Sequence, residues 1–137
     1  MANIIPTAFK TELLSGTHNF ANGGNSFKLA LYTSNPYSAS STTYSTSNEV
    51  SSSGTSYTAG GQVLDSQAVA ATSTTGHVDF ADETFASVTL TAAFAAIYND
   101  TNSDKLCLVL DFGGNKTATN GDFVVQFPTA NASDAII

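Results

Sequence analysis

The run Lys105-Leu-Cys-Leu-Val-Leu-Asp-Phe112 constrains the fold more than any other part of the chain. Leu106, Leu108, Leu110 and Phe112 alternate onto one face of a strand, and Cys107 and Val109 onto the other. Both faces are apolar, which predicts a central strand. A second run, Phe27 to Thr33, places Phe27, Leu29 and Leu31 on one face and Lys28, Ala30 and Tyr32 on the other. The turn-forming cluster Asn99-Asp-Thr-Asn-Ser-Asp104 separates the apolar run Ala93–Tyr98 from Lys105–Phe112, so those two runs are expected to pair as an antiparallel hairpin. Further strands are expected at Gln62–Ala70, His77–Ala81, Ser87–Leu90 and Phe123–Phe127. A loop closed by Gly113-Gly114 and Asn120-Gly121 is expected between the last two strands, and Pro128 ends the last strand.

About seven short strands at turn-separated spacing predict a mainly β chain, a single antiparallel β-sandwich or jelly-roll-like domain over residues 1–137. Composition agrees. Only 11% of the residues are charged, against about 25% in an ordinary domain. The polar surface therefore comes from Thr, which suits strands, and from Ser, Asn and Gly, which suit turns.

Residues 1–16 are the one helical stretch expected, a short N-terminal arm. Pro6 fits the first helical position and Gly16 a stop just past the end. Phe9 and Leu13 are expected to share an inward apolar stripe, flanked by Leu14. The stretch either closes one end of the domain or docks on a neighbour through Ile4, Ile5, Phe9 and Leu13. Residues 34–61 form a long Ser/Thr/Tyr-rich loop, expected as an ordered excursion with a helical turn near Thr46–Val50, with a disordered linker as the alternative. A loop of this length in a compact domain is often functional. Tyr32, Tyr37, Tyr44 and Tyr57, grouped in one quarter of the chain, either anchor it, with rings folded onto the sheet, or form a surface for a protein or saccharide.

The net charge is −7 and the chain has no Arg. Its four lysines, Lys10, Lys28, Lys105 and Lys116, form no run, so neither nucleic acid nor an anionic membrane is expected as a partner. No basic segment followed by an apolar stretch opens the chain, so no signal peptide is expected. The only cysteine, Cys107, reads as a small buried hydrophobe within an apolar strand. His18 and His77 are too few and too far apart for a zinc motif, and no Gly-x-Ser-x-Gly elbow marks a nucleophile. Gly113-Gly-Asn-Lys-Thr117 lacks the glycine spacing of a phosphate loop. Asp79, Asp82 and Glu83 lack the residue order of a calcium loop and read as a solvated edge or turn. The sequons at Asn99, Asn115 and Asn131 match what chance gives in so Asn/Ser/Thr-rich a chain. No cofactor or metal is expected.

Several runs carry a resemblance. Phe27-Lys-Leu-Ala-Leu-Tyr-Thr-Ser34, Thr42-Thr-Tyr-Ser-Thr-Ser-Asn-Glu-Val50 and Tyr57-Thr-Ala-Gly-Gly-Gln62 resemble segments of small virion structural proteins of tailed bacteriophages of aquatic bacteria. The same holds from Ile97-Tyr-Asn-Asp100 through Leu110-Asp-Phe-Gly-Gly114 and Asn120-Gly-Asp-Phe123 to Phe127-Pro-Thr129. The resemblance spans nearly the whole chain and carries over no binding residue. It implies a non-enzymatic capsid decoration or cement protein, made in the host cytoplasm and located in the virion. Its partners would be the major capsid protein or other virion subunits, and it would form a homo-oligomer, a trimer or a dimer. The role of the terminal Ile136-Ile137 is left open. A receptor- or carbohydrate-binding module on a tail or head fibre is the alternative, motivated by the Ser/Thr-rich loops and grouped tyrosines. A glycan hydrolase would need a carboxylate pair, for which Asp79 or Asp82 with Asp111 or Asp122 are the candidates.

Overall fold

The computed structural model describes residues 3–128 and 130. The sequon at Asn131 and the terminal Ile136-Ile137 lie outside the described residues. The chain is mainly β, with two antiparallel sheets arranged consistently with a β-sandwich and one short helix near the N-terminus. The elements are α1 (Thr7–Leu14), β1 (Phe27–Tyr32), β2 (Gln62–Val63), β3 (Ala68–Thr72), β4 (Thr75–Asp79), β5 (Glu83–Asn99) and β6 (Lys105–Val125). Strands order as β2-β1-β5-β6 in one sheet, and β3 pairs with β4 in the other.

The expected hairpin around residues 99–104 is present, with Asn99 opposite Lys105. It is much longer than the apolar runs suggested. Ser87–Leu90 and Ala93–Tyr98 are both part of β5, while Lys105–Phe112 and most of Phe123–Phe127 are both part of β6. The glycine-bearing segments expected as loops are irregularities inside the ladder. Ala92 faces Lys116 but Phe94 faces Asp111, and Val88 faces Gly121 but Leu90 faces Ala118. Ser87, Gly113, Gly114 and Asn120 absorb these shifts with positive φ. Extra residues of this kind bend a ladder without ending it.

β6 is an edge strand, not a central one; β1 and β5 are central. A further irregularity explains why periodicity misleads here. Tyr98 faces Leu106 while Ile97 faces Leu108, which leaves Cys107 as an extra residue. Leu106 therefore packs with Val109, Tyr32 and Tyr98 on one face of the sheet. Cys107, Leu108 and Leu110 pack on the other, with Phe27, Leu29 and Leu31. Both faces are covered because chain from elsewhere folds over them. Part of β6's edge is also covered: Ile4 exchanges two backbone bonds with Val109 (3.0 and 2.8 Å), and the Leu106 amide donates to the Thr42 carbonyl (3.0 Å).

That recruitment of Ile4 shortens the expected arm. Residues 4–6 are extended, and Pro6 precedes the helix with φ −61° and ψ 148°. Only eight residues are helical. Phe9 is buried against His18 and Phe20. Leu13 is 41% exposed and Leu14 90% exposed, so the inward stripe reduces to Phe9. Gly16 does stop the helix, at φ +79°. Near Thr46–Val50 the chain makes a turn through Asn48 (φ 61°) and not a helical one. The ladder beside it accounts for this, since the Val50 amide donates to the Leu31 carbonyl at 3.0 Å.

The main core lies on the Phe27/Leu29/Leu31 face. Phe20 stacks on Phe27 at 4.3 Å between ring centroids, and Phe80 meets both edge-on. Phe85, Val88, Leu90, Phe123 and Val125, from the far half of the long hairpin, belong to the same core.

Candidate protein interface

The side chains with the most reactive chemistry meet at the junction of α1 with the β5–β6 turn. The Cys107 sulfur lies 3.8 Å from His18 Nδ1. His18 Nε2 is 3.5 Å from Glu12 Oε1, and the other Glu12 oxygen is 2.7 Å from Lys105 Nζ. In outline this is a cysteine, an imidazole and a carboxylate in line. Three features turn it inward. Cys107 is completely buried, and that burial, with the Glu12 charge adding to it, pushes its thiol well above the ordinary range. His18 is also buried, and burial lowers its pKa against the opposing pull of Glu12.

The third feature is the tautomer. Asn99 Oδ1 accepts from the amides of Thr101 (3.1 Å) and Asn102 (3.2 Å), which fixes the orientation of its side-chain amide. Asn99 Nδ2 therefore donates to His18 Nδ1 at 3.0 Å and to Asn25 Oδ1 at 3.0 Å. His18 Nδ1, the atom nearest the sulfur, is already an acceptor, so its proton sits on Nε2 facing Glu12. The group ties α1, the segment after it and the β5–β6 turn together, and Asn102 Nδ2 adds a bond to the Thr17 carbonyl.

The aspartates considered for acid–base work hold backbone instead. Asp82 accepts from the Phe127 amide (2.8 Å) and Asp122 from the Ser87 amide (3.3 Å). Asp111 accepts from the Gly113 amide (2.8 Å), a bond that holds its carboxyl below the usual range. Asp79 is the last residue of β4, opposite Ala68. Glu83 is buried, and burial, reinforced by Asp65, raises its pKa. Among the described residues, no three His, Cys, Asp or Glu side chains converge as a metal-binding group.

The tyrosines of the long loop point into the fold. Tyr37 and Tyr57 are buried and Tyr44 is half-buried. Glu49 is their hub. Its carboxylate accepts from Tyr44 (2.6 Å), Tyr57 (3.0 Å) and the Gly60 amide (2.7 Å). Tyr57 in turn accepts from the Leu31 amide (3.0 Å), and Tyr44 stacks on Tyr98 at 4.6 Å. Tyr32 and Tyr37 share a 2.6 Å bond beneath Ser45. The loop thus clads both sheet faces, with Tyr37 and Tyr44 on the second and Val50 and Tyr57 in the main core, and a surface platform of tyrosine rings is not formed. Glu49 was not anticipated, although one signal marks it: it is the only charged residue between Lys28 and Asp65.

Of the side chains expected at an interface, Phe9, Tyr37 and Tyr57 are inside the fold, Ile4 and Tyr44 are half-buried, and Ile5 (42%) and Leu13 (41%) are exposed. The structure adds Leu14 (90%) and Val69 (58%) to that exposed set, with Val63 on β2 and Val124 on β6 exposed away from it. Leu13 and Val69 stand on opposite walls of a shallow cleft of about 350 Å³ between the end of α1 and the β3–β4 hairpin, with Phe20, His77 and Val78 also lining it. All five residues of β3 are exposed, and none is charged. This apolar region is the candidate interface. Comparisons against family models, curated proteins and solved structures gave no match.

Proposed function

We propose that the chain is a structural protein of a tailed-bacteriophage particle, a capsid decoration or cement protein that stabilises the head by bridging capsid subunits. One observation carries the reading most: Cys107, His18, Glu49 and the loop tyrosines are spent on internal bonding, while Leu13 and Val69 stay exposed in one cleft. Leu13 and Val69 line it, and Leu14, the next residue of α1, is also uncovered among the described residues. An exposed apolar region of this kind marks an association surface. The sequence resemblance to small virion proteins supplies the partner, the major capsid protein or another virion subunit.

The mechanism is burial. A stable interface takes about 1,200–2,000 Å² in total, which an apolar cleft and its rim can supply together with neighbouring loops. A ligand that binds only the assembled shell stabilises it in proportion to the logarithm of ligand concentration over Kd. The fibre-module alternative loses its strongest motivation, because the tyrosines that suggested a saccharide platform are turned inward. Particles assembled with and without the protein, heated and transferred to low salt, test the proposal. A higher rupture temperature and better DNA retention with the protein are expected. Equal rupture temperature and equal retention would refute it.

A further inference from the structure

The geometry points to the outer edge of β3 as a self-pairing site, at which two copies join antiparallel about a two-fold axis through Ala70. This concerns how copies of the chain meet each other, and it does not depend on the proposed role in a virion.

β3 runs Ala68-Val-Ala-Ala-Thr72 and pairs on one side only, with β4. Along a strand, bonding groups alternate between its two sides, so part of its N–H and C=O set faces away from β4. The edges of the larger sheet are managed, and β4, the other edge of the small sheet, carries Asp79. The Ile4 segment and Thr42 cover the start of β6, and β2 is two residues long. The far half of β6 is broken by ladder irregularities and carries Lys116 and Asp122. β3 has none of these protections: no charge, no proline and no irregularity in its register with β4. An exposed, regular, apolar edge is a template for another strand.

The charge pattern indicates a second copy as that strand. The chain carries −7, so two copies repel wherever acidic surfaces meet. From Ser66 to Val78 there is no charged residue at all. In a two-fold pair centred on Ala70, Ala68 meets the partner's Thr72 and Val69 meets the partner's Ala71. Each larger side chain then sits against a smaller one. The hairpin's one carboxylate, Asp79, lies beside Ala68, and its row continues across the seam to Thr72 and then Thr75 of the second copy, so the two copies of Asp79 do not oppose each other. The product is a four-stranded sheet, β4-β3-β3-β4. Because the axis is normal to the sheet, both clefts end up on the same side, presenting two equivalent apolar sites.

The test uses the full chain. Sedimentation over micromolar concentrations is expected to show a dimer. Ala70→Lys places two ammonium groups opposite each other at the axis and is expected to raise the dimer dissociation constant by about a hundredfold or more, with an unchanged circular dichroism spectrum because Ala70 is exposed. Ala70→Cys supplies a second, independent measurement. Paired strands hold directly opposite Cα atoms about 4.5–5.5 Å apart, within disulfide reach, so mild oxidation is expected to link two copies covalently. The wild-type chain, whose one thiol is buried, is expected not to cross-link. A chain that stays monomeric throughout, a dimer that Ala70→Lys leaves intact, or a folded Ala70→Cys dimer that does not cross-link would each overturn the inference.

Discussion

At the scale of single residues, the buried polar groups show how little of this chain's chemistry faces outward. Glu49 receives two phenols and one backbone amide. Glu49→Ala leaves those donors without a partner, and hydrogen bonds to a charged group are worth about 1.5–3 kcal/mol each. Glu49→Ala is therefore expected to lower unfolding free energy by roughly 3 kcal/mol or more in urea titrations, and Tyr44→Phe by about 1 kcal/mol. A loss under 1 kcal/mol for Glu49→Ala would remove Glu49 as the hub.

His18 gives a pH prediction. Its folded pKa lies below its ordinary 6.5, mainly through burial. The unfolded chain therefore takes up a proton near pH 6.5 that the folded chain resists. The neutral imidazole's contribution is intact above that pH and is lost as pH falls below it. Urea midpoints measured from pH 8 to pH 5 are expected to fall below 6.5, and His18→Gln is expected to flatten that fall. A wild-type chain and a His18→Gln variant with the same pH slope would contradict the assignment. Cys107's burial was legible because it sits in an apolar run. Its pairing with His18 was not, because the two are 89 residues apart and only the finished ladder brings them together.

At the scale of elements, strands were legible where side chains alternate and illegible where the ladder is irregular. Phe27–Tyr32 has the predicted facing because its register with β5 is unbroken. Leu106–Phe112 keeps it only from Leu108 on: Leu108, Leu110 and Phe112 share a face with Val109 opposite, while the extra residue puts Leu106 and Cys107 on the reverse of their expected sides. Whether a Gly-Gly or Asn-Gly pair makes a loop or bends a continuous strand depends on the partner strand, which local sequence does not specify. The helix shows the same limit: Phe9 and Leu13 have helical spacing, but the recruitment of Ile4 to β6 leaves two turns, and only Phe9 reaches the core. Phe9→Ala is expected to cost about 3–5 kcal/mol, while Leu14→Ser is expected to stay within about 0.5 kcal/mol.

Gly61 tests the loop's docking. It has φ +81°, and an added Cβ would lie 1.9 Å from the Leu29 carbonyl oxygen. Gly61→Ala is expected to cost more than about 2 kcal/mol, from the left-handed backbone and the collision together. A thermal midpoint equal to wild type would show that the loop is not seated on β1 as described.

At the scale of the whole molecule, the central claim is that the fold turns its polar chemistry inward and adheres to neighbours through the apolar surface around the α1–hairpin cleft. Residues 34–61 clothe one sheet face and join the bent β5–β6 hairpin in covering the other, while the end of α1 and β3 stay exposed. That outcome was only partly legible. Ile5 and Leu13 are among the expected contact residues, but helical spacing makes Leu14 a flank of the inward stripe and the apolar run Gln62–Ala70 makes Val69 part of a longer strand. The imaging of intact particles carrying the protein tests the claim most directly. The account predicts many copies distributed over the head, each astride a junction between capsid subunits, with Leu13 and Leu14 buried in the contact. A few copies confined to the tail, or copies on the head whose α1 end and cleft face open solvent, would contradict it.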